Sequence, residues 1–400
     1  MSEEKLVPKL RFNGFNNGWN EDYLNKLFDN RNERNFENLE VLSVTINDGV
    51  LKRSDLGSDR KNKDKKSMKH VLKGDLVYNP MFMWKGASGI SSYEGITSAD
   101  YIVLKSKKDV NSIFFSHLFQ TEKSLNKFKN YSQGSLLERL RLMYPQFSDI
   151  KMAFPDYDEQ EKIANFLTSI DNKIELLEKK YQSYLDFKKY LMQQIFAQKL
   201  RFNKTSEWET YSLNDIGETY NGLSGLSKDN FEKGNSKYIT YKSIFDNNIL
   251  KSDFTENVEL NNKSQNEVKK GDLFFTGSSE TPEEVGMVSV LNQNVKDCYL
   301  NSFCFGFRLN NEININPLFL AYYLRSPIMR NKIMILAQGS TRFNLSKKEI
   351  LKLKIEIPSI NEQQQVIDLF QSVDNKINEI SIQTNKFNEF KKGLLQQMFV

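Results

Sequence analysis

Seven Lys and Arg stand against one Asp in RKNKDKKSMKHVLK (Arg60–Lys73). A loop of that composition, with Lys61, Lys63, Lys65 and Lys66 at its centre, suits phosphate, because each cation seated on a phosphate releases condensed counterions. A merely solvated loop has the same composition, and charge alone does not separate the two. Three further groups can reach a base edge. In MWKGASG, Trp84 and Lys85 stand beside small residues at an expected hairpin bend. Lys can read guanine acceptors while Gly and Ser88 let the backbone approach a groove; Trp84 has a competing place in a core. TGSSETPEE (Thr276–Glu284) offers the hydroxyls of Ser278 and Ser279, with Glu280 able to accept from a cytosine amine. Two QGS loops continue with Ser135, Arg139 and Arg141, and with Ser340, Thr341 and Arg342. NDGVLKR adds Lys52 and Arg53, and TYKSI adds Lys242.

Other chemistry is missing its parts. His70 and His117 stand too far from partners for a triad or a metal site. Cys298 and Cys304, spaced C-x5-C without nearby His, form neither a disulfide framework nor a zinc site and read as buried strand residues. YNPMF (Tyr78–Phe82) lacks the second proline of an adenine methyltransferase loop, and no Gly-rich S-adenosylmethionine loop follows a strand. GASG (Gly86–Gly89) has no Gly-Lys-Ser/Thr opening a helix. No catalytic or metal-ligating residue is assigned. With 39% hydrophobic residues, 8 Pro and 19 Gly the chain reads as folded. No leader segment and no apolar run near 18 residues is found, and a reducing, cytoplasmic setting is expected. Net charge is +5, concentrated in residues 1–155, where 25 Lys and Arg face 19 Asp and Glu.

The elements that hold these loops are legible from a repeat. Pro155–Phe196 and Pro358–Phe399 share 15 identities over 42 positions without a gap. The shared residues include Glu159-Gln160 with Glu362-Gln363 and Asp171-Asn172-Lys173-Ile174 with Asp374-Asn375-Lys376-Ile377. Apolar residues recur at a 4-3-4-3 spacing: Ile163, Leu167, Ile170, Ile174 and Leu177 in one copy, Val366, Phe370, Val373, Ile377 and Ile380 in the other. Lys188 breaks the pattern in the first copy, and Thr384 and Lys391 in the second. Sustained 3.5-residue spacing predicts two long helices pairing as a coiled coil, antiparallel because a whole domain joins them. Two separate helices, each packed on its own domain, is the alternative. KLRFN follows the first helix (Lys199–Asn203) and opens the chain (Lys9–Asn13), so the order is cyclic and the chain ends should meet.

Four segments result: 1–154, 155–200, 201–357 and 358–400. The two heads read as α+β, with short strands such as DLVYN and DLFFT, one helical segment each, a recurring KGDL (Lys73–Leu76, Lys270–Leu273), and a strand before the proline. Beyond that frame, residues 40–130 and 225–315 barely match. A duplicated enzyme would repeat its chemical residues; two binding modules with different targets would not.

At this point the chain resembles the specificity subunit of a type I restriction-modification enzyme. The resemblance rests on FLTSIDNKI and LFQSVDNKI after the Pro-x3-Glu-Gln starts, the LMQQIF and LLQQMF ends, the KLRF entries, and the tract Tyr78–Lys105. It implies two target-recognition domains of similar fold, separated by long antiparallel coiled-coil helices in a pseudo-twofold, circular arrangement. It further implies that each domain reads half of a split DNA site, while the helices act as spacer and dock two methyltransferase subunits. Endonuclease/translocase subunits join that core, and S-adenosylmethionine, ATP and Mg belong to those partners, with no cofactor in this chain. A helix pair of about 50 Å matches roughly 15 base pairs. The alternative from a different class is a non-catalytic coiled-coil scaffold with two protein-binding heads; a stand-alone methyltransferase or nuclease lacks its cofactor loop.

Overall fold

Both long helices form where the apolar spacing places them. In this computed structural model they span Tyr157–Phe196, 40 residues, and Ile360–Gln397, 38 residues. No Pro or Gly interrupts the first, and the second carries only Gly393 near its exit, so every backbone bond of the ladder is available. The structure describes residues 6–46, 48–57, 64–136, 139–202, 206–250, 252–260, 264–310 and 312–400. It divides into two units, Met1–Glu178 with Ile382–Val400, and Lys179–Ser381. The division falls inside both long helices. Each unit therefore holds one head, the first half of the helix leaving that head, and the last turns of the other helix.

In the first unit, Ile163, Leu167, Ile170 and Ile174 share a core with head residues such as Phe114 and with Leu394, Met398 and Phe399 from the second helix. In the second unit, Val366, Phe370 and Val373 pack with head residues such as Phe319 and with Leu191, Ile195 and Phe196. Ile377 is half-buried against that cluster, and Leu177 and Ile380 are buried. The stripe thus serves the helix's own head and the other helix at once, where sequence reasoning posed these as alternatives. At about 1.5–3 kcal/mol for each large side chain removed from water, such a seam is a main source of stability.

The repeated polar residues latch the heads to the helices. Arg11 Nε and Nη2 donate to Glu159 at 2.7 Å each, and Arg201 Nε and Nη2 donate to Glu362 at 3.2 and 2.8 Å. Both carboxylates are buried, so the charge-assisted fork replaces the water they have lost. The next residue acts on the head. Gln160 Oε1 accepts from the Asn111 amide while its Nε2 donates to the Pro155 carbonyl, and Gln363 does the same with Asn316 and Pro358. Asn111 and Asn316 in turn cap the head helices Ser112–Leu118 and Pro317–Leu324. KLRFN, Pro-x3-Glu-Gln and the head helix are one connected device, present twice.

The chain ends meet within the first unit. The Leu10 amide donates to the Gln397 carbonyl at 2.9 Å. In the second unit the Leu200 amide donates to Gln194 at 3.1 Å, so an interrupted chain and a continuous one make the same bond.

Each head is built on an antiparallel sheet with one strand order. In the first it runs Phe28–Arg31, Ile102–Ser106, Leu76–Tyr78, Ser88–Ile90; in the second, Gly217–Asn221, Cys304–Leu309, Leu273–Thr276, Val288–Leu291, with Ile249–Leu250 added in parallel. Leu76 pairs with Leu104 and Ile90, as Leu273 pairs with Phe307 and Val290. KGDL is the tight turn entering the central strand, with Gly74 and Gly271 both at φ +93, a conformation that glycine adopts without strain. Asp75 and Asp272 close it by accepting from the Leu72 and Lys269 amides. The single helical segment expected in each head is two helices. Thr121 and Ser326 cap a second one, Glu122–Tyr131 and Pro327–Ile335. A short helix, Tyr144–Ser148 or Lys347–Leu351, also stands before the last strand. Cys298 and Cys304 are free and buried in strands.

Among the described residues no helix is long and apolar enough to cross a membrane.

Candidate nucleic-acid interface

The two tracts with base-reading chemistry occupy the same place in the two sheets. Asn79 N donates to Ala87 O as the chain leaves Leu76–Tyr78, and Thr276 N donates to Met287 O as it leaves Leu273–Thr276. Between those bonds the frames part. The first head makes a 3-10 turn, Met83–Lys85, closed by Gly86 at φ +94. Trp84 is half-buried, its Nε1 donating to Met81 O at 3.1 Å. Lys85 Nζ lies 4.9 Å from the centre of the Trp84 ring and 5.7 Å from that of Phe82, and Lys129 stands over Trp84 at 5.6 Å. Trp84 packs against the first unit's core and presents a face bearing two cations. Ser88 differs from expectation. It is 5% exposed and its hydroxyl takes Gln120 Nε2 at 3.1 Å, so it fastens the turn to the head helices and does not face outward.

The other positions of the first unit are scattered. Ser135, Arg139 and Arg141 are exposed on the segment where Gln133 bridges Arg141. Lys52 stands over Tyr93 at 4.9 Å, and Arg53 Nε reaches Ser43 Oγ at 3.2 Å. Lys65 is half-buried toward the Leu39 carbonyl, and Lys66 is exposed, 3.9 Å from Glu37. Lys61, Lys63 and Asn47 lie outside the described residues. Beside this basic segment, His70 sits between Glu33 at 3.4 Å and Glu94 at 3.0 Å, stacked on Phe36 at 3.8 Å. Its ring is committed to holding the loop's base.

The second unit gathers its candidates around one cleft of about 790 Å³, lined by Ser278, Ser279, Glu280, Thr341 and Arg342 with Tyr241, Phe245, Phe303 and Glu284. Ser278–Ser279 is a short strand paired with Phe343–Leu345, which carries the QGS loop to the tract. Both serines are buried, Ser279 Oγ donating to Glu284 at 3.0 Å, so they form the wall. Glu280, Ser340, Thr341 and Arg342 are exposed. Lys242 is exposed on Tyr241–Asp246, the helix that supplies Tyr241 and Phe245. Tyr241 donates to Ser278 O at 2.7 Å, and burial raises its phenol pKa. Phe303, 57% exposed with Arg342 5.4 Å over its ring, was missed from the sequence. It stands directly before the buried run Cys304–Phe307 in a strand-rich tract, and only its position ahead of the strand Cys304–Leu309 marks it as a loop residue.

Elsewhere the charged groups act within the units. Lys188 pairs with Asp374, and Lys391 with Asp171, each at 2.5 Å. These are the two lysines that break the apolar stripes. Tyr322 donates to Asp374 at 2.8 Å, and His117 stands 4.0 Å from Asp171. Burial holds His117 down at about 4, against the opposing pull of Asp171. Half-buried Arg325 donates to carbonyls of Val288, Ile244, Phe245 and Asn247. No group of three His, Cys, Asp or Glu able to hold a metal occurs among the described residues.

Comparison with known proteins agrees with this frame. The profile of the type I restriction modification DNA specificity domain matches residues 81–183 and 205–386. The type I restriction enzyme MjaVIII specificity subunit of Methanocaldococcus jannaschii is 22% identical over 79% of this chain and 76% of its own length. The EcoKI specificity subunit of Escherichia coli is 22% identical over 90% and 81%. Among solved structures, the type I restriction-modification S subunit from M. genitalium aligns with TM-score 0.57 at 15% identity, covering 98% of this chain and 99% of that one. The HsdS subunit from Thermoanaerobacter tengcongensis aligns at 0.50 and 13%, over 100% and 98%. The matched residues include the head helices Ser112–Leu118 and Pro317–Leu324 and a large part of both long helices, and the chain belongs to the type I restriction-modification DNA specificity family.

Proposed function

We propose that this chain is the sequence-reading subunit of a type I restriction-modification assembly and carries out no catalysis of its own. Each head reads one half of a bipartite, asymmetric DNA site. The two long helices pair antiparallel as a coiled coil in a pseudo-twofold, circular arrangement, set the spacer between half-sites, and dock two adenine methyltransferase subunits. Endonuclease/translocase subunits join that core, and S-adenosylmethionine, ATP and Mg act in those partners. The observation that carries this reading is the contrast between frame and face. The Arg–Glu–Gln latch, the KGDL turn and the strand order occur twice, while the loops leaving the central strands share neither residues nor geometry. Two copies of one scaffold with unlike readers match a site with two unlike halves.

The test is to express the chain with the methyltransferase subunit of its system and sequence methylated adenines genome-wide. A split motif that appears only when this chain is present is expected. A continuous motif, or methylation indifferent to this chain, contradicts the reading. Binding to duplex DNA should weaken steeply with salt; salt-insensitive binding to a protein would favour the scaffold alternative.

A further inference from the structure

The cleft of the second unit holds a combination that a backbone-binding surface would avoid. Two carboxylates, Glu280 and Glu284, line it together with a single guanidinium, Arg342. Glu284 is engaged by Ser279, whereas Glu280 is exposed and takes no hydrogen bond among the described residues. A carboxylate repels phosphate and accepts hydrogen bonds only, so its partner on DNA is a base edge that donates: the exocyclic amine of cytosine or adenine in the major groove. Arg342 lies over the exposed ring of Phe303. An arginine held against an aromatic face keeps its fork of donors free while losing rotamer freedom, which suits the paired acceptors of guanine. The wall behind them is rigid. Tyr241 and Phe245 stack at 6.2 Å, and Tyr241 is tied to the Ser278 carbonyl.

Resting on the DNA-reading function above, we propose that this cleft is the base-reading site of the second unit. Glu280 takes an amine-bearing base, Arg342 takes a guanine, and Phe303 is a positioning residue that acts through Arg342. The first unit solves the same task with the opposite charge, through Lys85 and Lys129 on Trp84, so its half-site carries no equivalent demand for an amine.

The experiment reads methylated adenines in cells holding the full chain and its methyltransferase subunit. The wild type is compared with Glu280→Gln, Arg342→Ala, Phe303→Leu and Phe303→Tyr. Glutamine both donates and accepts, so E280Q should lower selectivity at one adenine- or cytosine-bearing position about tenfold. R342A should do so at a guanine, F303L should relax that same guanine, and F303Y should restore it. All changes should fall in the half-site that is unaffected when residues 10–152 are exchanged. Unchanged motifs in E280Q and R342A, or changes in the other half-site, overturn the proposal. So does loss of all methylation, since both side chains are exposed and their removal leaves the fold standing. A wild-type chain that imposes no motif sinks the DNA-reading function itself, a distinct result.

Discussion

Asp75 and Asp272 show how a single residue can be kept while its surroundings change. Each closes a KGDL turn and is buried, yet Asp75 is neutralised by Arg31 and Asp272 by Arg308, which stand on non-equivalent strands. A buried carboxylate needs a partner, and any strand within reach can supply one. The latch carboxylates have no such freedom. Replacing Glu159 or Glu362 by Gln strands an arginine that is little exposed, and each change should cost about 3 kcal/mol in chemical denaturation; a loss under about 1 kcal/mol would mean the fork is not holding the head. His117 makes a prediction in pH. Its folded value, about 4, lies below the unfolded value of about 6.5, so the unfolded chain binds the extra proton. Its contribution is complete above about pH 6.5 and is lost as pH falls toward 4, by about 3 kcal/mol. Denaturation at neutral and acid pH should show a smaller acid loss in His117→Phe than in wild type, and equal losses would contradict the assignment. From sequence, the basic and hydroxyl-bearing residues were legible by type. Whether they face outward was not, because Ser88 and the exposed residues share composition and differ only in what packs behind them.

At the level of elements, periodicity carried the most information. Forty residues of 4-3-4-3 spacing leave little alternative to a helix, and both helices end within a few residues of the expected positions. The partner of the stripe was less legible, since an apolar seam does not say what covers it; here head and helix share it. The lysine breaks in the stripe had a reason that the pattern hid. Lys188 and Lys391 meet Asp374 and Asp171, the aspartates of the repeated DNKI. These pairs are half-exposed, and each alone is worth about 0.5–1 kcal/mol. Asp374 also holds the Tyr322 hydroxyl, whose phenol pKa is raised chiefly by burial and then by Asp374, so Asp374→Asn should lower the melting temperature more than Asp171→Asn. Equal shifts would show that the tyrosine bond adds nothing. In the heads, Ser326-Pro327 marks a helix start, yet the apolar run across it hid the break.

At the scale of the whole chain, duplication was visible because the device joining head to helix must satisfy the same buried groups twice, which fixes residues. The loops leaving the central strands escape that constraint and no longer match by sequence. On the proposed function the helix pair is a ruler. Deleting one heptad from both helices shortens it by about 10 Å, near three base pairs, and the spacer in the methylated motif should contract accordingly; an unchanged spacer would mean that something other than the helices sets it. The central claim, one frame carrying two independent readers, is tested most directly by exchanging residues 10–152 for the counterpart from another member of the family and sequencing methylated adenines beside wild type. The account predicts a new sequence in one half of the motif, with the other half and the spacer unchanged. A motif altered in both halves, or in neither, would contradict it.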